Sequence, residues 1–210
     1  MPAGSSATSS AAGASAVGTA TITAGTVIVN GGVAGIAGAA TGGLSGLTAV
    51  NSNGGVSDAY VKRLFQVESG GNPNDRTGSN YGLAQFSFAD MKQFGLTNPL
   101  DPAQATRATV LEAQRNAGPL AAILGRAASP GEMYLSHQQG LAGASALLKN
   151  PDMAAWRAIR PWYGSDEMAQ KAITGNAGSL DQTSKQFSDM WVKRFETGMD
   201  GASKSLTGLA

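Results

Sequence analysis

The chain has 210 residues, 42% of them hydrophobic, and a formal net charge of +1. That length allows one buried core with residues to spare. The absence of cysteine and the single histidine, His137, exclude disulfides, thiolate metal sites and multi-histidine metal centres. No basic block points to nucleic acid as a partner.

The two ends of the chain differ in kind. Residues 1 to 57 carry no charged side chain, and every Lys, Arg, Asp and Glu lies from Asp58 onward. Residues 1 to 20 are Ala, Ser, Gly and Thr, a composition that buries too little to fold alone. Thr26-Val27-Ile28-Val29 follows, and 21 to 29 is the one stretch with strand-like alternation. Gly31, Gly32, Gly35, Gly38, Gly42 and Gly43 come next. This predicts an uncharged arm over residues 1 to 55, flexible by itself. The alternative is an element that orders on assembly, with small residues at Gly31, Gly35 and Gly38 permitting close helix packing or a membrane contact. No Lys or Arg precedes Lys62, so a secretory signal peptide is not expected.

From Ser57 the periodicity is helical. Ser57 is placed to cap a helix whose apolar stripe is Tyr60, Val61, Leu64 and Phe65, ended by Gly70-Gly71. Residues 72 to 86 read as loop. A short helix over 87 to 94 closes at Gly95. Asp101-Pro102 opens a helix to about Asn116, with Gln114, Arg115 and Asn116 as its solvated end, and 119 to 125 forms another. Ser129-Pro130-Gly131-Glu132 is a capping box that starts a helix carrying Tyr134 and His137. Helices near 141 to 149, 152 to 158 and 165 to 174 follow. Ser179 and Gln182 fit a second box before a helix to about Thr197, where Phe187, Met190, Trp191 and Phe195 make the buried stripe. The predicted fold is all-α over residues 56 to 198, with a tail over 199 to 210.

Glu68 stands out. It lies four residues after Leu64 and three after Phe65, so it continues their apolar face at the last turn of the helix. Burial and the helix C-terminus both disfavour the charged carboxylate. A carboxyl kept protonated near neutral pH is what protonates a leaving glycosidic oxygen.

The stretch Gln66-Val67-Glu68-Ser69-Gly70-Gly71-Asn72-Pro73-Asn74, followed by Tyr81-Gly82-Leu83-Ala84-Gln85-Phe86, resembles the paired signature of soluble lytic transglycosylases. The third signature of that family is an Ala-Tyr-Asn-Ala-Gly segment, and Ser136-His137-Gln138-Gln139-Gly140 stands in its place, as in phage- and virion-associated branches. The resemblance covers residues 57 to 150. It implies a lysozyme-like α fold, a single catalytic carboxyl, no metal or other cofactor, and peptidoglycan glycan strands as substrate. Glu68 would protonate the β-1,4 bond between N-acetylmuramic acid and N-acetylglucosamine, then act as base on the muramoyl 6-hydroxyl to close a 1,6-anhydro ring. Ser69 would orient Glu68, and Gly82, Leu83 and Gln85 would line the cleft, with Gln85 bonded to sugar or carboxyl. Tyr134, His137 and Gln138 would form the far wall.

The enzymatic alternative is a hydrolase, which needs a second carboxylate; Asp75 and Asp90 are the candidates. The non-enzymatic alternative is a structural virion or ejection protein on an inactive lysozyme-like domain. Trp156, Trp162 and Trp191 are candidates for stacking on sugar or for the core. The uncharged arm and the phage-like third motif predict a virion protein that opens the cell wall during genome delivery. Residues 1 to 55 would then bind other particle subunits, or contact a membrane after release.

Overall fold

The computed structural model describes residues 49 to 206, with side chains through residue 197. The expected strand at 21 to 29 and the partner and membrane roles of the arm fall outside the described residues. α1 (Asp58–Ser69) ends in a left-handed Gly70 whose N–H donates to the Gln66 carbonyl, while the Gly71 N–H donates to that of Phe65. Ser57 occupies the N-cap position, but its side chain makes no capping bond. The start of α1 is held instead by the segment before it. Val50 pairs with Val56, the Ser57 N–H donates to the Ala49 carbonyl, and Ala49 is fully buried. The folded domain therefore begins before residue 56, the boundary that composition suggests.

The loop after α1 holds a two-residue hairpin, β1 (Arg76–Thr77) against β2 (Asn80–Tyr81), too short to show alternation in the sequence. α2 (Phe88–Phe94) has Ser87 and Asp90 as a complete capping box. α3 (Pro102–Leu124) is one continuous helix, not the two expected, and Pro119 lies inside it. Residues 115, 118 and 119 are all exposed, so the carbonyl that loses its N–H partner to proline is on the solvent side of the helix. Asn116 is accordingly no solvated end. It is buried and donates to Ser136 Oγ at 3.1 Å.

α4 (Pro130–Gln138) begins at the expected box of Ser129 and Glu132. Burial pushes the Glu132 carboxyl up, but hydrogen bonds from Arg126 and Ser129 outweigh it and hold the group below the ordinary carboxylate range. Met133, Tyr134, Leu135 and Ser136 are all buried, which makes α4 the central helix. α5 (Gly140–Lys149) packs on it, and α6 (Ala155–Ile159), a 3-10 turn η1 (Arg160–Trp162) and α7 (Asp166–Gly175) follow, α6 lying against α5 and α7 against α6. α8 (Ser184–Leu206) covers α4, α5 and α1. Its Phe187, Trp191 and Phe195 are buried, and Tyr134 stacks on Phe195 with ring centroids 4.6 Å apart. The Arg63 side chain ties α1 to α8 by donating to the Arg194 and Phe195 carbonyls.

α8 departs from expectation at both ends. Its capping residues are Thr183 and Gln186, four positions later than Ser179 and Gln182. Residues 182 and 183 pair with 154 and 155 in extended backbone, which prevents an earlier start. The helix also runs to Leu206, through most of the stretch read as a tail. The fold is mainly α, as the sequence predicts.

Candidate active site

Glu68 sits where periodicity puts it, on the last turn of α1, with its side chain 18% exposed. It opens on a polar cleft of about 240 Å³ lined also by Asn80, Gln85, Ser87, Asp90, Glu112, His137, Gln138 and Asn176. Tyr134, expected on the far wall, instead reaches Glu68 directly: its hydroxyl donates to Glu68 Oε1 at 2.7 Å. Burial, reinforced by the charge of Glu68, holds the Tyr134 phenol protonated, far above its ordinary value.

His137 stands beside this pair, its Nε2 4.0 Å from Glu68 Oε1. The same nitrogen lies 3.0 Å from the Ala84 carbonyl, which can only accept, so Nε2 carries a hydrogen. Nδ1 lies 2.7 Å from Glu112 Oε2. Burial lowers the affinity of His137 for a proton, but the charge and hydrogen bond of Glu112, then the charge of Glu68 and the Ala84 carbonyl, outweigh it. The pKa rises from 6.5 to about 9. At neutral pH His137 is therefore an imidazolium, hydrogen-bonded to Glu112 on α3 and beside Glu68 on α1.

A raised histidine pKa stabilises the fold fully below the unfolded value, about 6.5, and that contribution is lost as pH climbs through about 9. His137 is the only histidine, so its ring resonances in an NMR titration are unambiguous. The expected midpoint is near 9, and clearly lower in Glu112→Gln, which removes the largest raising influence. A wild-type midpoint of 6.5 or less would remove the ion pair from the site.

The segment 82 to 86 is buried throughout and displays its carbonyls to the site. The Gly82 carbonyl accepts from Gln85 Nε2 at 2.8 Å, that of Leu83 from Ser69 Oγ at 2.9 Å, and that of Ala84 from His137. Ser69 thus ties the end of α1 to this turn, its hydroxyl donating to the Phe65 and Leu83 carbonyls and not to the Glu68 carboxyl. Gln85 lines the cleft, but its amide is bonded to backbone: besides the Gly82 carbonyl, its Oε1 accepts from the Thr77 N–H at 3.2 Å. Its backbone is left-handed, φ 49°, an uncommon state for a residue with a Cβ. Gly82 and Leu83 stand behind the cleft and do not line it. Gln138 does line it, donating to Asn176 Oδ1 at 2.6 Å.

Glu112 is the residue that the sequence reading misses. It is 9% exposed on the α3 face that buries Ala105, Ala108, Thr109, Ala113 and Asn116. The argument that singles out Glu68, a carboxyl on an apolar face, applies to it equally. Asp90 lines the cleft, but both its backbone and side-chain bonds go to Ser87. Asp75 does not line it. Of the tryptophans, Trp191 is core, Trp156 is half-buried under Arg157, and Trp162 is exposed. No protein-family model matches the chain, and no curated protein matches it.

Proposed function

We propose that this chain is a lytic transglycosylase that cleaves the β-1,4 bond between N-acetylmuramic acid and N-acetylglucosamine in peptidoglycan, with Glu68 as the sole proton-transferring group. The observation that carries the reading is the different commitment of the three carboxyls on the cleft. Asp90 caps α2 and Glu112 is paired with His137. Glu68 does neither: it caps no helix, and its one hydrogen bond is from the Tyr134 hydroxyl to Oε1. A hydrolase needs a second carboxylate free to activate water or attack the sugar. The intramolecular route needs one group, because the nucleophile is already tethered to the reacting carbon.

In the proposed cycle the Glu68 carboxyl gives its proton to the leaving glycosidic oxygen. The resulting carboxylate takes the proton of the muramoyl 6-hydroxyl as that oxygen bonds to the anomeric carbon. Glu68 is reprotonated, the anhydro ring is closed and no water is consumed. Tyr134 steadies the carboxylate stage by its hydrogen bond to Oε1. The Glu112–His137 pair adds little net charge but fixes the polar wall opposite. Placement in a phage particle rests on the third motif and the uncharged arm; mass spectrometry of purified particles checks it, and absence of the chain from them would point to host lysis instead.

The test of the reaction is mass spectrometry of purified peptidoglycan digested by the full chain. Products ending in 1,6-anhydromuramic acid are expected. Reducing muramic acid ends would mean hydrolysis, and no products would favour an inactive structural domain.

A further inference from the structure

Beside the Glu68 cleft is a smaller hollow of about 120 Å³ and opposite character, lined by Gln139, Ala142, Gly143, Ile159, Trp162 and Tyr163. Trp162 is 54% exposed, unusual for a residue type that is highly buried on average. Its backbone is nonetheless well held. Pro161 fixes one dihedral of η1, and Arg160 in the same turn donates through Nη1 to the Tyr163 carbonyl at 2.7 Å and through Nε to Asp166. Ala142 and Gly143, which line the hollow with Trp162, are small residues that take up little of its space. A rigid, exposed aromatic plane binds with little ordering cost.

The hollow and the cleft are linked through neighbouring side chains. Gln138 and Asn176 line the cleft and are bonded to each other; Gln139 lines the hollow and donates to Gln138 Oε1. A row of side-chain amides thus leads from one to the other, each offering both a donor and an acceptor. Six lining residues are far fewer than the roughly 20–30 a side of a stable protein interface. An occupant with an apolar ring face, hydroxyls and an amide of its own matches what is present.

We propose that the Trp162 hollow is a distal saccharide subsite, in which the apolar face of an N-acetylhexosamine ring lies on the indole and its acetamido group meets the amides of Gln139 and Gln138. The inference rests on the reading of Glu68 as the group that cleaves a glycan strand, since it makes the hollow an extension of that cleft.

Two measurements on the full chain test it. Isothermal titration of the β-1,4-linked N-acetylglucosamine hexasaccharide into Glu68→Gln, with and without Trp162→Ala, reads binding without turnover. Trp162→Ala is expected to weaken binding about 3- to 10-fold, and Trp162→Phe to restore most of it. In the active chain, Trp162→Ala is expected to raise KM for glycan strands by a similar factor with kcat retained, the mark of an interaction made equally in ground and transition states. Equal binding with and without Trp162→Ala overturns the subsite, as does no binding of the hexasaccharide. If the active chain releases anhydro products and Trp162→Ala is indistinguishable from it, the subsite falls and the reading of Glu68 stands. Trp162-dependent binding with no cleavage by the active chain supports the subsite and sinks the catalytic reading.

Discussion

Glu68→Gln is expected to lower the release of muropeptides by about 1,000-fold or more while leaving the fold intact. The amide keeps the shape of the carboxyl, and its oxygen can still accept the Tyr134 hydroxyl that now lies 2.7 Å from Oε1. What it cannot do is give a proton to the leaving oxygen and take one back. General acid–base catalysis contributes roughly 10²–10⁴-fold per step, and one group serves both steps here. Stability is expected to hold or rise slightly, because a negative charge at a helix C-terminus is unfavourable by up to about 1 kcal/mol. The loss of charge beside His137 opposes that gain, since the carboxylate favours the imidazolium. Rates of release by liquid chromatography, paired with thermal melts, separate the two effects. Activity within tenfold of wild type, with an unchanged melt, would remove Glu68 from the chemistry, and Glu112 would become the carboxyl to replace next.

The parts of this molecule that the sequence discloses are those decided within a few residues. The caps at Asp101 and Ser129, the glycines after α1 and α2 and the apolar stripe of α8 all act within one or two helical turns, and all are found where they are read. The cap at Ser57, equally local, makes no bond; the other misreadings share the opposite property. Pro119 looks like a break, and whether it is one depends on which face of α3 meets solvent. Ser179 and Gln182 do interact, the Ser179 N–H donating to Gln182 Oε1 at 3.0 Å, but as a turn, because the chain after them is drawn into a pairing with 154 and 155. The hairpin at 76 to 81 is smaller than any periodicity can reveal.

The candidate site follows the same division. Glu68 is legible because its own helix marks it. Its contact with Tyr134 crosses 66 positions, and that of His137 with Glu112 crosses 25. Neither is encoded in local spacing. The Gly-Leu-Ala-Gln motif is visible, yet its use is not: side-chain recognition of substrate is the natural reading of Gln85, whereas the turn works largely through three backbone carbonyls. A carbonyl is present at every residue, so nothing in the sequence says which ones matter.

That turn also sets the second large prediction. Gly82→Ala is expected to destabilise the domain by on the order of 2–5 kcal/mol. Two causes add. The backbone is left-handed, φ 73°, which costs an alanine about 1–2 kcal/mol. A Cβ built there would stand 2.0 Å from the Pro99 carbonyl oxygen and 3.0 Å from its carbon. Both are backbone, so relief requires moving the chain between α2 and α3, and overpacking of this kind costs about 1–3 kcal/mol. Gly78 is the control: its φ is 61° and an added Cβ meets nothing within 4 Å. Gly78→Ala should therefore show only the conformational part. In thermal melts the Gly82 variant should fall by on the order of 10 °C, and the Gly78 variant by a few degrees. Equal shifts for the two would mean that Pro99 yields easily, and that the turn is less rigid than the contact implies. Below its melting temperature, Gly82→Ala should also lose activity, because displacing the turn carries the Ala84 carbonyl away from His137. The site then loses the acceptor that keeps a hydrogen on Nε2, and the imidazolium keeps only Glu112 of the two hydrogen-bond partners that hold it beside Glu68.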